Sequence, residues 1–293
     1  MQNYDIFTDS SCDLDKKTIE KYDLKVMQLE VTIDDKEPVH NRDIDIDNFY
    51  EQLSNGANAK TSAVTLGQFK DNMKLSLEAG RDIIYLGFSS GLSATFNNGL
   101  MIINELREKY PDRKIIAIDT LCATGGQGLV VYYAAKLKEV GNSIEEVEEK
   151  VLAIIDRIQH QVKVNDLFFL KRGGRISATT AIAGSMLNIK PIITMDITGR
   201  LATIGKVRGR KAAISDLFKR MKANQKLDEI PYVFISHSAC LEEAEKLEGM
   251  VKDEYPNAEV TIGNIGPVIG AHTGPGTLVI SYLSSENKIP SSL

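Results

Sequence analysis

The chain has 293 residues, of which 43% are hydrophobic, and this length predicts about two domains with sizeable cores. Its net charge of -5 and pI of about 5.5 argue against a general nucleic-acid-binding protein, and no stretch approaches the roughly 20 consecutive apolar residues of a transmembrane segment. Three dispersed cysteines indicate neither a zinc site nor a disulfide framework, and residues 1–5 lack the features of an export signal, so we expect a cytoplasmic protein without metal or cofactor.

Strands and helices alternate through the first half of the chain. Hydrophobic patterning predicts strands over 4–8, 25–32, 82–86 and 114–118 and helices over 14–22, 47–53, 65–78, 93–109, 125–140 and 143–158. Capping boxes, formed by Thr65 with Gln68 and by Ser143 with Glu146, mark the starts of two of these helices. The alternation predicts a parallel sheet in an α/β/α sandwich over 1–158, in which ligands bind beyond the carboxyl ends of the strands.

The second half, 159–285, has a different pattern. It predicts strands over 162–170, 190–195, 201–204, 232–236, 260–262 and 278–283 and helices over 178–187, 209–224 and 241–255. Thr198 and Gly199, between two predicted strands, are typical of a hairpin turn. We therefore expect a mixed-sheet α/β domain over 159–285, followed by a frayed polar tail over 286–293.

Two hydroxyl-rich segments stand where helices are predicted to begin. Segment 89–93 contains three serines and a glycine between the strand 82–86 and a helix starting near Ser93, and Thr61 and Ser62 precede the helix 65–78. The free N–H groups and positive dipole of a helix start, together with hydroxyl donors, favour a carboxylate or a phosphate, although simple helix capping explains the same residues. Asp9 and Asp119 end predicted strands and would either orient these segments or act as caps.

His272 differs from the other histidines, His40, His160 and His237, in its sequence context. Glycines at 266, 270, 274 and 276 surround it, together with prolines at 267 and 275. Glycine permits close backbone approach and unusual dihedral angles, so the pattern predicts a rigid loop that presents one imidazole. We expect His272 to be functional, and His237, at a strand end between serines, is a weaker candidate.

Basic residues are concentrated in the segments 171–175 and 206–211, which contain Arg172, Arg175 and Arg208. They form either a solvated surface or a site for phosphate or an acidic partner, because a guanidinium group pairs with phosphate in a bidentate fork. Neither segment is a P-loop, since the spacing is wrong and Val207 stands where a Ser or Thr is needed.

A serine hydrolase is an alternative function. Residues 87–91 fit the pattern G-x-S-x-G and follow a predicted strand, which would make Ser89 the nucleophile with His237 or His272 as base. The pattern is short, no oxyanion motif of the HGGG type precedes it, and no strong acid candidate stands in the usual order.

Taken together, the motifs are similar to those of a known family. They are the segments 8–14, 60–62, 89–95, 170–176, 188–191, 205–208 and 269–276, in that order. The chain thus resembles the DegV family of bacterial fatty-acid-binding proteins, which includes the binding subunits of fatty acid kinase. It departs from the family at Cys12, where Thr or Ser is common, and at Ala63 and Val64, which replace a Gln-Pro-type pair and could alter the cavity.

The resemblance implies a two-domain fold with a long-chain fatty acid buried between the domains. The carboxylate would lie against Thr61, Ser62, Ser93 and His272, and the acyl chain would enter an aliphatic tunnel. The protein would be a lipid-binding accessory subunit rather than an enzyme itself. An ATP-dependent fatty acid kinase subunit would phosphorylate the bound carboxylate, with Arg208, and also Arg172 or Arg175, facing the partner or the phosphate.

Overall fold

The computed structural model describes residues 3–165, 167–176 and 188–291. The elements of the first half are β1 (Tyr4–Asp9), α1 (Lys16–Lys21), β2 (Lys25–Met27), β3 (Glu30–Ile33), β4 (Val39–His40), α2 (Ile46–Ser54), β5 (Ala59–Ser62), α3 (Leu66–Glu78), β6 (Asp82–Gly87), α4 (Thr95–Lys109), β7 (Ile115–Asp119), α5 (Thr124–Glu139) and α6 (Ile144–Ile155). Those of the second half are β8 (Ile158–Lys163), α7 (Phe168–Arg172), β9 (Ile189–Met195), β10 (Leu201–Arg208), α8 (Arg210–Asn224), β11 (Tyr232–His237), α9 (Leu241–Glu254), β12 (Glu259–Asn264), α10 (Pro267–Thr273) and β13 (Leu278–Leu283).

Four strands of the first half form a parallel sheet in the order β2-β1-β6-β7. Phe7 and Tyr85 belong to a buried cluster with α3 and α4. Their neighbours Ile6 and Ile84 point to the opposite face and pack with α5 and α6. The predicted α/β/α sandwich is confirmed, and it follows from strands that are apolar on both faces.

A small antiparallel sheet, in the order β4-β3-β5, was not predicted. The expectation of one strand over 25–32 is wrong, because the chain leaves the parallel sheet after Met27. The Leu29 N–H donates to Ser10 Oγ (3.0 Å) instead of to a neighbouring strand. In consequence Thr61 and Ser62 lie on β5, paired with Val31 and Glu30, and not in a loop.

The second half forms a six-stranded sheet in the order β10-β9-β8-β13-β11-β12. Only β11 and β12 pair in parallel, so the predicted mixed sheet is confirmed. Buried side chains of α8 and α9, among them Leu217 and Leu247, cover one face. Helix α5 packs against both large sheets and joins the two halves of the molecule, since Ile158 and Phe234 share its hydrophobic cluster.

The expectation of a strand over 162–170 is wrong. The strand β8 begins earlier, at Ile158, and the apolar residues 167–170 belong to α7 and its N-cap. All six residues of β8 are buried although four of them are polar, so hydrophobicity does not mark the start of this strand. The short apolar run 167–170 cannot be assigned to strand or helix by periodicity. The predicted helix 178–187 lies outside the described residues.

His272 lies on a helix and not on a loop, which corrects a further expectation. Pro267 stands in the first turn of α10, where its missing N–H costs no hydrogen bond. Gly270 occurs inside this helix because a Cβ atom there would overlap Tyr50 Oη. Gly270 therefore allows α10 to pack closely against α2.

The expectation of a frayed tail is wrong for residues 286–291. Lys288 is 3% exposed, and its Nζ donates to the carbonyls of Leu121 (3.0 Å) and Ile155 (2.9 Å). The Ile197 N–H donates to the Ile289 carbonyl (2.9 Å). The polar composition of residues 286–293 predicted disorder, but the buried Lys288 holds residues 286–291 against the first half of the molecule.

Candidate functional site

A cavity of about 220 Å³ lies between the two halves of the molecule. One face of the six-stranded sheet supplies Val162, Ile193 and Val279, whereas α10 supplies Val268 and the first half supplies Phe88. All four residues predicted to hold a carboxylate, Thr61, Ser62, Ser93 and His272, also line this cavity. The two hydroxyl-rich segments and the His272 segment, far apart in sequence, are therefore brought together.

Thr61 and His272 are in direct contact. Thr61 Oγ1 lies 2.8 Å from His272 Nε2, across 211 positions of sequence. Strand β5 directs Thr61 towards α10, while Ser62 is exposed at the edge of the cavity. A hydroxyl group both donates and accepts, so Thr61 fits either tautomer of the imidazole.

His272 is held in its neutral form. Burial lowers its pKa from 6.5 to about 4, and the charges of Arg175 and Arg172 act in the same direction. The ring packs against Gly173, where a Cβ atom would overlap Nδ1. The imidazole is uncharged and therefore forms no ion pair within the site. Together with two hydroxyl groups and a guanidinium group, it can hydrogen-bond an anion.

Ser93 lies just before α4 and forms a small hydroxyl network. Its Oγ accepts from the Thr95 N–H (3.2 Å) and lies 3.0 Å from Thr95 Oγ1, which in turn accepts from the Val64 N–H (3.4 Å). The N-cap residue, Ala94, makes no side-chain cap and lines the cavity beside Ser93. The positive end of a 15-residue helix thus meets the cavity, as the sequence predicted, although the helix begins two residues later.

Two carboxylates at strand ends orient the segment before Ser93. Asp9 Oδ2 accepts from the Phe88 N–H (2.8 Å), and Asp119 accepts from the Ser90 N–H (3.2 Å). Both interactions agree with the orienting role that was one of the two expectations, and Asp9 fulfils the other as well, because its Oδ1 accepts from the Ser11 N–H (3.3 Å) as the N-cap of the 3-10 helix Ser10–Cys12. Asp9 is fully buried, and its desolvation raises the pKa of the carboxyl group.

Three side chains hold the turn that follows His272, and sequence reasoning missed all three. The carbonyls of Gly274, Pro275 and Gly276 accept from Ser238 Oγ (2.7 Å), Asn165 Nδ2 (2.9 Å) and Lys163 Nζ (2.6 Å), respectively. The glycines of this turn were visible in the sequence. Its polar partners come from β8 and the loops after β8 and β11, and only the fold shows that they are neighbours.

The three arginines occupy different positions. Arg175 is half-buried and lines the cavity, and its Nε donates to the Leu92 carbonyl (3.2 Å). Arg172 is exposed, with its guanidinium 4.8 Å from the ring centroid of Phe169. Arg208 is exposed at the end of β10 and does not line the cavity.

The residues of the hydrolase alternative are not assembled. Ser89 is fully buried, and its Oγ donates to the Gly199 carbonyl (2.7 Å). His272 pairs with Thr61, whereas His237 lies beside Asp47 in a separate shallow groove. Burial also raises the pKa of the Cys12 thiol to about 12, which leaves that group protonated.

Within the described residues, no group of three His, Cys, Asp or Glu side chains is placed to hold a metal ion. The helices of that part of the chain include none with the length and apolarity needed to cross a bilayer.

The family model described as "Uncharacterised protein, DegV family" matches residues 3–285. A DegV domain-containing protein of Clostridium perfringens is 40% identical over 290 residues, which cover 98% of this chain and 100% of the relative. A second DegV domain-containing protein, YteA of Lactococcus lactis, is 35% identical, covering 97% of this chain and 99% of the relative.

Two solved structures have the same fold. A protein from Eubacterium ventriosum described as binding stearic acid is 26% identical and superposes with a TM-score of 0.85, covering 96% of this chain and 98% of that one. A DegV family protein from Thermus thermophilus, described by its fatty acid binding, is 26% identical with a TM-score of 0.85, covering 97% and 100%.

Proposed function

Because this chain belongs to the DegV family, we propose that it binds a long-chain fatty acid in the cavity between its two halves. The carboxylate lies against Thr61, Ser62, Ser93 and His272, and residues 1–158 and 159–285 act as two domains around the acyl chain. One observation carries this proposal: four polar side chains from three separate segments meet at a cavity whose remaining walls are mainly aliphatic. The similar proteins described as fatty-acid-binding support it.

The physical balance favours an amphipathic ligand. Each buried CH₂ group contributes about 0.8 kcal/mol, so a long chain binds tightly with few polar contacts. The head group requires donors, which the hydroxyl groups, the start of α4 and the neutral His272 supply. Arg175, which also lines the cavity, adds positive charge near the same end.

The bound carboxylate is then presented to an ATP-dependent kinase. A carboxylate oxygen attacks the γ-phosphorus of ATP on the partner, which yields the acyl phosphate and ADP. The exposure of Ser62, Arg172 and Arg208 supports this second step, because it leaves a polar cavity edge and two cationic side chains on the surface. Arg175 lines the cavity and would face either the head group or the incoming phosphate.

Native mass spectrometry of the purified protein, followed by denaturation and lipid identification, tests the binding step. We expect a mass excess that resolves to a fatty acid. Ser93→Ala should weaken binding by about 1.5–3 kcal/mol, because it removes a hydrogen bond to a charged group. The control is Ser90→Ala, an exposed serine of the same segment, which should bind normally. A protein that stays ligand-free after incubation with mixed fatty acids contradicts the proposal.

The transfer step has its own test. In a coupled assay with ATP and a partner kinase, Arg208→Ala should reduce acyl phosphate formation while fatty acid affinity remains unchanged. Arg200→Ala is the matched control, since Arg200 is exposed beyond the opposite end of β10. Equal rates for both variants would remove Arg208 from the partner-facing surface.

A further inference from the structure

The start of α10 has no capping side chain of its own. Its N-cap is Gly266, and Pro267 follows, so the N–H of Val268 needs an acceptor from elsewhere in the chain. Asn41, which is 227 positions away in sequence, supplies this acceptor, because its Oδ1 accepts from the Val268 N–H (2.7 Å). A helix of seven residues is not stable in isolation, so its contacts with the rest of the protein determine where α10 lies.

Asn41 is itself fixed within the first half of the molecule. The residue is 4% exposed, its Nδ2 donates to the Ser10 carbonyl (2.9 Å), and its backbone N–H donates to the Leu29 carbonyl (2.9 Å). A Cβ atom at Gly266 would lie 3.0 Å from Asn41 Nδ2, so the glycine at the N-cap lets the amide group approach. The Asn41 side chain therefore connects a fixed segment of the first half to the start of α10.

Tyr50, on α2, makes a second contact of this kind. Its ring is buried in the cluster of the first half, and its Oη donates to the Ile265 carbonyl (2.6 Å), just before α10 begins. Gly270, in the middle of α10, packs against the same hydroxyl group. Tyr50 thus holds the entry to α10 and its central turn, whereas Asn41 holds its first turn.

The residue that Asn41 holds and the imidazole of the head-group site lie on the same face of α10. Val268 and His272 are four residues apart, which is about one helical turn, and both line the cavity. At the other end of this turn, His272 Nε2 lies 2.8 Å from Thr61 Oγ1. A shift of α10 by about 1 Å would take these two atoms beyond hydrogen-bond distance.

We infer that Asn41 and Tyr50 are positioning residues of the fatty acid site, which hold His272 where it meets both Thr61 and the carboxylate. Neither residue is among the described residues that line the cavity, so each acts through α10 and not by touching the ligand. This inference rests on the proposed function, because it concerns the same carboxylate site.

Binding of stearic acid to the lipid-stripped protein tests this role. Asn41→Leu keeps the approximate size of the side chain and removes both of its hydrogen bonds. We expect the affinity to fall roughly tenfold, which corresponds to one hydrogen bond to a charged group. Tyr50→Phe removes a single hydroxyl group and should lower the affinity in the same way, which provides the test should Asn41→Leu not fold.

Asn224→Leu is the matched control. Asn224 Oδ1 accepts from Tyr282 Oη (2.9 Å) in the second half, and Asn224 is not among the described residues that line the cavity. This variant should lose stability and keep its affinity for stearic acid. In the ligand-free protein, the imidazole NMR signal of His272 should shift in Asn41→Leu and stay unchanged in Asn224→Leu.

A double-mutant cycle with His272→Ala separates positioning from general destabilisation. Since Asn41 acts through His272, Asn41→Leu should cause little further loss of affinity once the imidazole is absent. An equal loss in both backgrounds, or a loss as large in Asn224→Leu, overturns the inference, as does unchanged affinity in Asn41→Leu and Tyr50→Phe. Failure of the wild-type protein to bind stearic acid or any other member of a fatty acid mixture would instead overturn the proposed function.

Discussion

At the scale of single residues, the protein keeps its buried histidines uncharged. His272 and His160 are enclosed by apolar walls, and the nearest charges, from Arg175 and Lys288, are positive. Desolvation and like charge both disfavour the imidazolium form, so each ring acts as a neutral hydrogen-bonding group. A histidine with this environment can hold a carboxylate without competing with it for a proton at neutral pH.

This environment predicts a pH dependence of stability. Between the unfolded pKa of 6.5 and the folded value of about 4, the unfolded chain binds a proton at His272 that the folded protein lacks. Above pH 6.5, His272 does not change the free energy of unfolding with pH. As the pH falls from 6.5 towards 4, the free energy of unfolding decreases by up to about 1.4 kcal/mol per pH unit. His272→Asn cannot titrate, so urea unfolding of this variant should show a correspondingly smaller decline over that range.

Comparison of the wild type with His272→Asn isolates the contribution of His272 to the pH dependence of stability. Burial raises the pKa of Asp13 to about 7, which makes stability fall with rising pH, but that contribution is common to both and cancels. Identical pH profiles for the wild type and His272→Asn would contradict the neutral assignment. A histidine NMR titration, in which the His272 signal stays constant down to about pH 5, is an independent check.

At the scale of secondary-structure elements, glycines set the distance between α5 and the sheets. A Cβ atom at Gly125 would lie 2.6 Å from Ser236 Oγ, and one at Gly126 would overlap the His160 ring. The helix therefore approaches β8 and β11 more closely than any side chain would allow. Its first turn forms part of the cavity wall, so this spacing also sets the position of that part of the wall.

The spacing predicts opposite effects for two similar substitutions. Gly126→Ala should destabilise the protein by roughly 1–3 kcal/mol, since the methyl group forces the His160 ring to move. Gly249→Ala, at an exposed position inside α9 with open space around it, should stabilise by up to about 1 kcal/mol. Chemical denaturation measures both, and a neutral Gly126→Ala would show that α5 can shift.

The turn after α10 depends on a buried ion pair. Lys163 is fully buried and contacts Glu243 (2.6 Å) as well as the Gly276 carbonyl. Lys163→Met should cost less than the roughly 3–5 kcal/mol of a buried pair with no other partner, because Arg210 Nη1 still lies 3.6 Å from Glu243 Oε1 while the Gly276 carbonyl loses its donor. Adding Glu243→Leu should recover a large part of that loss in the same denaturation experiment. A double variant no more stable than Lys163→Met would show that the carbonyl contact matters more than the charge.

The sequence predicted the elements whose signals are local. The capping box of α6, the parallel strands and the hydroxyls near α4 were all visible as short patterns. The capping box expected for α3 is only half formed, because Thr65 caps the helix but the Gln68 side chain bonds to Gln28. The small sheet that carries Thr61 was missed, because pairing of β3 with β5 is set by tertiary contacts. The helix bearing His272 was mistaken for a loop, since glycines selected for close packing resemble glycines selected for flexibility. The contribution of His160 to the cavity wall required knowledge of which strands are neighbours.

At the scale of the whole molecule, the two halves are joined at several distant points. Helix α5 packs between the sheets, the Ser89 hydroxyl binds the hairpin at Gly199, and the Asn41 side chain accepts from the Val268 N–H (2.7 Å) at the start of α10. Residues 286–291 add a strap that returns from the second half to the first. The cavity is enclosed by both halves, so these connections hold its walls together.

The strap predicts a strong effect of one lysine near the end of the described chain. Lys288→Met should destabilise the protein by about 1–3 kcal/mol for each carbonyl left unsatisfied, because Leu121 and Ile155 lose their donor. Lys246→Met, at an exposed position on α9, should change stability by less than about 0.5 kcal/mol. Thermal unfolding distinguishes them, and equal melting temperatures would mean that the strap contributes little.

The position of β13 has a consequence for synthesis on the ribosome. This strand lies in the interior of the six-stranded sheet, between β8 and β11, although it is the last strand along the described chain. The strands of the parallel sheet, by contrast, all lie before residue 120. The first half can therefore fold while translation continues, whereas the other sheet stays open, with apolar strand edges uncovered, until residues 278–283 emerge. Nascent chains spend that interval with half of the cavity wall formed and the other half awaiting its central strand.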